Sequence, residues 1–378
     1  MENNSNSGVI YQGKIPNRVK YCFAFGALGK DLIYGMIATF SMIYFTDIIK
    51  VAPAFIGTMF FVAKIWDAFN DLFMGMIVDN TRSRFGKFVP WLVIGTLVNS
   101  VVFVVLFTDF KLTGTSLCIF VAVIYVLWGM TYTIMDIPYW SMIPALTSSK
   151  EEREQVAVIP RIFASTAWLI MGTFGLSIVK KLGNGNVVKG YSSFAVVIAV
   201  TFIISAIITC LNVKERVETP KNAEKVSFKQ TLNIIRKNDQ LLVIIGSVII
   251  YQIALFLVAG FALYFFKYAI QNESLYAVFT GLSTIAQVCA LMIFPKLVSK
   301  LSRKIVYILA CLLPVIGFTS MLFISSLSTS SVLLCIAGVI YNLGFAFSSA
   351  STTVMLCDAV DYGEYKVGKR SESIIFSM

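Results

Sequence analysis

Ionisable side chains stand inside long apolar stretches of this 378-residue sequence, where charge is costly. Six lie inside such stretches, namely Lys30, Asp31, Lys64, Asp67, Asp71 and Asp136, and a seventh, Arg161, begins one. If those stretches cross a membrane, each charge costs roughly 2.5–3.5 kcal/mol on the lenient insertion scale. Structural ion pairing would explain a single pair such as Lys30 with Asp31, but four acids face three bases. The surplus carboxylate predicts a functional site that raises a pKa or takes up a cation.

The second apolar stretch carries three of these charges on one face. Spacings of three and four residues put Lys64, Asp67 and Asp71 on one stripe of a helix, at about 100° per residue. Hard cations such as Na⁺ prefer oxygen ligands. The predicted cation site uses the oxygens of four side chains, Asp67, Asp71, Asn70 and Thr133.

The fourth apolar stretch has polar and aromatic side chains on one face. Tyr132, Asp136, Tyr139 and Trp140 follow the spacing i, i+4, i+7 and i+8. Pro138 frees a backbone carbonyl one turn earlier, which is tolerated where a helix lines a polar cavity. Sugar sites commonly combine an aromatic platform with carboxylate and arginine hydrogen bonds. An anionic site beside an aromatic platform therefore predicts a monovalent cation and a polyol as ligands.

The elements that must position these residues are membrane-spanning helices. Hydrophobic residues make up 57% of the sequence and charged residues only 13%, about half the charged share of a soluble domain. The apolar residues fall in segments of about 20, the length that crosses a hydrocarbon core. The sequence predicts an all-α polytopic membrane protein with helices at 21–48, 54–78, 88–107, 116–145, 160–179, 191–211, 241–267, 273–295, 305–326 and 330–360.

Basic residues predict how these helices are oriented. With the N-terminus placed inside, 22 lysines and arginines fall in inner segments and 6 in outer ones. This bias predicts a cytoplasmic N-terminus in a bacterial inner membrane, with membrane lipid as a partner. The net charge of +11 sits in short loops and forms no basic helix, so nucleic acid is not expected as a partner.

Other function classes lack the residues they need. The sequence contains no histidine, which excludes histidine triads and histidine zinc sites. It has no nucleophile motif and no phosphate-binding glycine loop, so we expect neither an enzyme nor a cofactor beyond Na⁺ as a coupling ion. The seven cysteines lie scattered in or beside apolar segments and are interpreted as small core residues.

Eight short motifs run from about residue 20 to the end of the chain. They are Gly29-Lys-Asp31, Trp66-Asp-Ala-Phe-Asn-Asp71, Asn80-Thr-Arg-Ser-Arg-Phe-Gly-Lys87, Trp128-Gly-Met-Thr-Tyr-Thr-Ile-Met-Asp-Ile-Pro-Tyr-Trp140, Glu152-Arg-Glu-Gln155, Pro160-Arg161, Lys237-Asn-Asp-Gln240 and Asp361-Tyr-Gly-Glu-Tyr365. Together they resemble the glycoside–pentoside–hexuronide:cation symporter family, most closely its melibiose carriers.

The resemblance implies a twelve-helix major facilitator fold that uses Na⁺, Li⁺ or H⁺ to drive galactoside uptake. The cation ligands would be the four already named, and Asp136 would lie between the two sites and serve both. The implied sugar ligands are Lys30, Asp31, Asp136, Trp140 and Arg161. We add Tyr132 to this set because it shares a helix face with Asp136. Two positions depart from the family: Ser349 replaces a Trp, and Lys64 replaces an Arg and loses its fork geometry.

The hydrophilic stretch around 212–240 divides six predicted helices from four. It predicts an N-terminal six-helix bundle at 1–211, a cytoplasmic loop at 212–240 and a C-terminal bundle at 241–378, the parallel-repeat pattern of major facilitator transporters. The sequence stops about one turn into an expected eleventh helix, so ten of twelve helices are predicted, in a natural truncation or a fragment. Such a chain is expected to lack a family lysine and threonine and not to complete a transport cycle.

Charged residues near the predicted inner face suggest a gate. This predicted strip consists of Arg82, Arg84 and Lys87, with Glu152 and Glu154 opposite and Asp361, Glu364 and Arg370 beyond. Such residues can pair when the inner side closes and separate when it opens. A topology signal is the alternative for Arg82 to Lys87. For the whole chain, the alternatives are a symporter of another glycoside, pentoside or hexuronide, or a transport-dead remnant that still binds ligand.

Overall fold

The apolar stretches form helices, which satisfy every backbone hydrogen bond internally, as lipid requires. A computed structural model describes residues 14–147, 149–215, 235–272, 274–327, 330–367 and 371–377. Its helices are α1 (Asn17–Ile43), α2 (Pro53–Asp79), α3 (Val89–Leu106), α4 (Gly114–Leu146), α5 (Lys150–Gly183), α6 (Val187–Asn212), α7 (Asp239–Tyr264), α8 (Ser274–Leu301), α9 (Arg303–Leu327), α10 (Ser331–Val367) and the short α11 (Glu372–Phe376). Short π-helical turns follow α1 at Tyr44–Ile48 and α7 at Phe265–Ala269.

Helices α1 to α10 correspond to the ten predicted segments. In the described part of the chain, eight helices are long and apolar enough to cross a membrane. The other two are α2, whose middle carries Lys64, Asp67 and Asp71, and α7, of which Asp239–Ala254 counts as a shorter apolar helix. The all-helical architecture is confirmed, while the count of ten among twelve spans stays a prediction.

Helix α5 begins ten residues before its predicted start at residue 160. The polar run that opens it, Lys150 to Gln155, consists of good helix formers, and its acidic first turn suits a helix N-terminus. Pro160 and Arg161 therefore lie inside α5, and Glu152 and Glu154 lie on a helix instead of in a loop. The hydropathy pattern alone missed this turn because it is polar.

Two groups of helices pack around separate cores. Helix α1 packs against α5 and α6, α3 packs against α4 and α6, and α2 packs against α4. The largest apolar cluster lies among these six helices. Smaller clusters join α8, α9 and α10. Helix α5 also packs against α8, and α11 packs against α2 and α4, so these contacts connect the two groups. Most of the predicted loop 212–240 lies outside the described residues.

Close helix contacts depend on glycine at a few positions. A Cβ added at Gly95 of α3 would lie 2.8 Å from the backbone nitrogen of Met135 and 3.0 Å from the carbonyl carbon of Ile134, both on α4. Because backbone cannot move aside as a flexible side chain can, α3 and α4 approach this closely only with glycine. At Gly57 of α2 nothing lies within 4 Å of the added Cβ.

Replacing Gly95→Ala should lower the thermal stability of the purified protein by several degrees. Overpacking of this kind typically costs about 1–3 kcal/mol. Gly57→Ala is the matched control and should be neutral or stabilising, because it adds helix propensity without a clash. Thermal unfolding in detergent measures both variants, and an unchanged midpoint for Gly95→Ala would contradict the packing described.

Candidate functional site

A cavity of about 790 Å³ lies among α1, α2, α4 and α5. All seven charged residues singled out in the apolar stretches line it, together with Gln252 of α7 and Ser377 after α11. The structure therefore brings the predicted cation and sugar residues around one space. Its volume lies in the upper part of the range typical of small-molecule pockets, about 300–1,000 Å³.

Lys30 is the centre of the charged group. Its Nζ lies 2.7 Å from Asp136 Oδ1 and 3.0 Å from Asp31 Oδ2, and the residue is only 3% exposed. The ammonium also lies 3.5 Å from the Tyr132 hydroxyl and 4.7 Å from the centroid of the Trp140 ring. One buried cation thus holds a carboxylate of α1 and a carboxylate of α4 beside an aromatic face.

Arg161 completes this group from α5. Its guanidinium carbon lies 4.4 Å from the centroid of the Trp140 ring, so Trp140 has Lys30 and Arg161 against its indole. Arg161 also donates from Nη2 to the Thr353 hydroxyl of α10 at 2.9 Å. Tyr139, predicted to share the polar face of α4, instead packs between helices, where its hydroxyl donates to the Phe23 carbonyl.

The carboxylates of α2 form a second group in the same cavity. Lys64 Nζ lies 3.1 Å from Asp67 Oδ2, and the Thr133 hydroxyl of α4 lies 2.8 Å from Asp71 Oδ1. A Cβ at Gly129 would lie 2.9 Å from Asp67 Oδ1, so glycine there leaves room for the Asp67 carboxylate in its present position. These oxygens are hard ligands of the kind that a small monovalent cation prefers.

Asn70 is the one predicted ligand that does not line the cavity. Along a helix it lies about 100° from Asp71 and about 60° from Asp67 on the side away from Asp71. Its amide nitrogen is buried and has no hydrogen-bond partner in the described residues. Asn70 was predicted as a ligand because its side chain carries an oxygen. Its angular position on α2 places it outside the stripe formed by Lys64, Asp67 and Asp71.

The charges around the cavity do not balance. Four carboxylates and three bases line it, which leaves a formal charge of −1. Lys30 is shared between Asp31 and Asp136, and Lys64 contacts Asp67 alone. A charge in a low-dielectric space favours binding of an opposite charge, so one monovalent cation or proton would neutralise the cavity.

A charged network lies at one end of the bundle, called here the basic end because it carries Lys20, Lys87, Arg153 and Arg303. Arg153 of α5 is 2% exposed and bonds Asp358 at 3.0 Å and Asp361 at 2.7 Å, both on α10. Arg303 of α9 bonds Glu154 of α5 at 2.9 Å and Asp358 at 2.7 Å. These contacts tie α5 to α9 and α10.

A second network at the basic end is fully buried. Lys87 Nζ lies 2.5 Å from Asp79 Oδ1 and 2.6 Å from Glu372 Oε2. Asp79 also accepts hydrogen bonds from the backbone N–H groups of Ser373 and Ile374, which open α11. The loop after α2 is thereby fixed to the short helix α11.

Two loop groups at this end have shifted pKa values. Burial opposes the charge on Lys87, but the Asp79 and Glu372 carboxylates outweigh it and raise the pKa of Lys87. Burial raises the pKa of Glu215, although its carboxylate accepts hydrogen bonds from the backbone N–H groups of Lys87 and Phe88. Because the pKa of folded Lys87 exceeds its unfolded value, its stabilisation is complete at neutral pH and is lost only in strong alkali.

The predicted strip forms contacts different from those expected. Arg82 donates to backbone carbonyls of Asp79 and Thr81, and Arg84 is exposed and stacks on Phe85. Glu152 bonds Lys20 at 2.8 Å, while Glu154 and Asp361 bond arginines of the network above. Lys87 therefore pairs with neither Glu152 nor Glu154. Glu364 is exposed, and Arg370 lies outside the described residues.

The family model for MFS/sugar transport proteins matches residues 22–378, nearly the whole chain. This chain belongs to the MFS/sugar transport protein family. It is thus an integral membrane protein of a transporter family, in agreement with its apolar helices.

Individual relatives agree with this family. The chain is 27% identical to an isoprimeverose transporter of Lactiplantibacillus pentosus over 98% of its own length and 78% of that protein. It is 26% identical to a lactose permease of Leuconostoc lactis over 94% of its length, and there it spans 58% of the relative. A solved structure of the proton:xylose symporter XylE shares the fold, with a TM-score of 0.68, 12% identity, and coverage of 96% of this chain and 84% of that one.

Several residues of the site were not anticipated from the sequence. Thr353 meets Arg161, and the partners at the basic end include Arg153, Asp358, Arg303 and Glu372. Asp358 and Asp361 are three residues apart on α10 and so share a helix face. This spacing is the sequence feature that could have indicated an acidic cluster there. Their arginine partners lie on other helices, so only the packed structure pairs them.

Lys87→Met should destabilise this sugar-transport family member strongly, while Arg84→Met should not. Removing one partner of a buried ion pair costs about 3–5 kcal/mol because the other charge stays buried. Without Lys87, two carboxylates, Asp79 and Glu372, would stay buried and lose this counter-charge. The double variant Lys87→Met/Glu372→Gln should recover part of the loss. Thermal unfolding at neutral pH measures all three. Equal midpoints for Lys87→Met and Arg84→Met would show that the buried network does not stabilise the fold.

Proposed function

We propose that the chain is a cation-coupled sugar symporter that takes up glycosides, with Na⁺ as coupling ion and a galactoside such as melibiose as substrate. The observation that carries the proposal is a single cavity with an aromatic face and a formal charge of −1. Li⁺ and H⁺ would satisfy the same charge. The relatives named for isoprimeverose and lactose support a glycoside substrate.

The cation site proposed here consists of Asp67, Asp71 and Thr133. Asp71 and Thr133 are already 2.8 Å apart, so two oxygen ligands are in place. Lys64 contacts one oxygen of Asp67 and leaves the other facing α4 near Gly129. Asn70 would join only if α2 turned about its axis.

The sugar site proposed here is the group around Trp140. The indole offers a flat face to a sugar ring, and the charged groups offer hydrogen bonds to hydroxyls. The ligands on this proposal are Lys30, Asp31, Tyr132, Asp136, Trp140 and Arg161. The Asp31 and Asp136 side chains are 13% and 28% exposed, so sugar hydroxyls could reach both carboxylates.

Coupling on this proposal runs through α4. Thr133 faces the cation group and Asp136, three residues later, bonds Lys30 in the sugar group. A cation held by Asp71 and Thr133 reduces repulsion on Asp136 and fixes the helix turn that carries it. By linkage, sugar must then strengthen cation binding by the same factor.

The basic end is proposed to face the cytoplasm, as the excess of basic residues in inner segments predicts. All four salt bridges that join α1–α6 to later helices in the described residues lie at that end. Towards the other end, the Lys64 side chain is 62% exposed and Trp168 is 39% exposed. The structure on this view is open to the outside and closed to the cytoplasm.

The decisive experiment compares Asp71→Asn with Asp31→Ala in vesicles. Asp71→Asn should bind galactoside but lose Na⁺ stimulation, because it loses the charge that Na⁺ would balance. Asp31→Ala should keep Na⁺ binding and weaken sugar affinity by at least about ten-fold, since Lys30 loses a buried partner. Sugar binding with and without Na⁺, and Na⁺ binding alone, separate the two. Unchanged Na⁺ stimulation in Asp71→Asn and in the matching Asp67→Cys would place the cation site elsewhere.

Arg153→Gln should shift the protein towards an inward-open state. The change removes two bonds to α10, next to Cys357, which is fully buried at the same end. Cys357 should then react several-fold faster with a membrane-permeant maleimide, read by mass spectrometry of its peptide. Arg18→Gln, an exposed arginine at the same end, is the control. Equal labelling in the two variants would assign the Arg153 network to stability alone.

A further inference from the structure

Three aromatic side chains line the part of the cavity beyond the charged group. This aromatic wall consists of Tyr34 of α1, Trp128 of α4 and Trp168 of α5. The Tyr34 ring lies 6.0 Å from Trp168, 6.1 Å from Trp128 and 5.5 Å from Tyr132, measured between centroids. Tyr34 thus contacts aromatic rings of two other helices, of which Trp168 is the exposed one and Trp128 is 4% exposed.

The aromatic wall is separate from the Trp140 face. Trp168 follows Arg161 by seven residues on α5, about two helical turns or roughly 10 Å. Trp128 precedes Trp140 by twelve residues on α4, roughly 18 Å. A cavity of about 790 Å³ is larger than a single sugar ring fills. Room therefore remains beside the wall when a ring occupies the Trp140 face.

Trp168 offers aromatic surface that the protein leaves uncovered. The residue is 39% exposed although it lines a cavity of charged side chains. A large aromatic face left against water gains free energy when a ligand covers it, at about 25 cal/mol per Å² of apolar surface buried. The apolar C–H face of a sugar ring, or an aryl group, can cover it, while hydroxyls at the ring edge reach the polar groups nearby.

We infer that the aromatic wall is a subsite for the second ring of a disaccharide or for the aglycone of an aryl glycoside. The inference rests on the proposed function, in which the first ring occupies the Trp140 face. It makes Trp168 and Tyr34 specificity residues for two-ring substrates. A monosaccharide or a methyl glycoside does not reach them.

Direct binding by calorimetry in Na⁺ buffer tests the subsite, with lactose and methyl β-galactoside as the probes. Trp168→Ala should weaken lactose binding by about five-fold, equivalent to about 1 kcal/mol, and should change methyl β-galactoside binding by less than two-fold. Trp168→Phe should restore most of the lactose affinity. Trp66→Ala is the matched control, since Trp66 is 47% exposed on α2 and does not line the cavity.

The outcomes separate this inference from the proposed function. If Trp168→Ala weakens both probes equally, or neither, the subsite is refuted while galactoside binding stands. If the unaltered chain binds neither these probes nor melibiose, the galactoside proposal itself fails and the subsite falls with it. Asp31→Ala serves as the reference, because it should weaken both probes together. A loss with Trp66→Ala equal to that of Trp168→Ala would assign the effect to general disturbance of the bundle.

Discussion

Charge held away from water is the constraint on which the cavity depends. Lys30 is almost fully buried and lies within salt-bridge distance of carboxylates on α1 and α4. Taking an ammonium out of water costs several kcal/mol unless hydrogen-bonded partners surround it. The contact between Lys30 of α1 and Asp136 of α4 therefore fixes the distance between these two helices. Since Lys64 pairs with only one of the two carboxylates on α2, the remaining negative charge favours binding of a cation or a proton. The apolar helices tolerate these residues because they face one another and not lipid.

Helix α4 is the wall on which every part of the cavity meets. Gly129, Thr133, Asp136 and Trp140 follow one another at intervals of three or four residues, so successive turns face the same space. Gly129 admits Asp67, Thr133 contacts Asp71, and Asp136 contacts Lys30. Because α4 is a rigid helix, a shift of Thr133 at the α2 carboxylates also shifts Asp136 beside Lys30. The coupling proposed above would need no longer path than this helix.

The sequence predicted the helices and the inward-facing charges well, because apolar length and helical periodicity are local properties. The structure brings all but one of the predicted cation and sugar residues to one cavity, while their roles stay predictions. The exception, Asn70, follows from the angle between neighbouring residues on a helix. Prediction from the sequence failed where partners come from distant helices. Arg153 and Asp358 are 205 residues apart, and Lys87 and Glu372 are 285 apart. The polar first turn of α5 was missed for a different reason, since hydropathy cannot recognise a helix that begins in water.

The two networks at the basic end differ in the solvent exposure of their carboxylates. This difference decides which of them can separate at low cost. Asp358 and Asp361 have side chains 42% and 43% exposed, so water can replace Arg153 as their partner when α5 and α10 separate. Asp79, Lys87 and Glu372 have side chains at most 5% exposed, and Asp79 accepts hydrogen bonds from two backbone N–H groups of α11. Separating these three would leave charges with neither protein nor water, at several kcal/mol each. Opening between α5 and α10 should therefore cost less free energy than separating the loop after α2 from the start of α11.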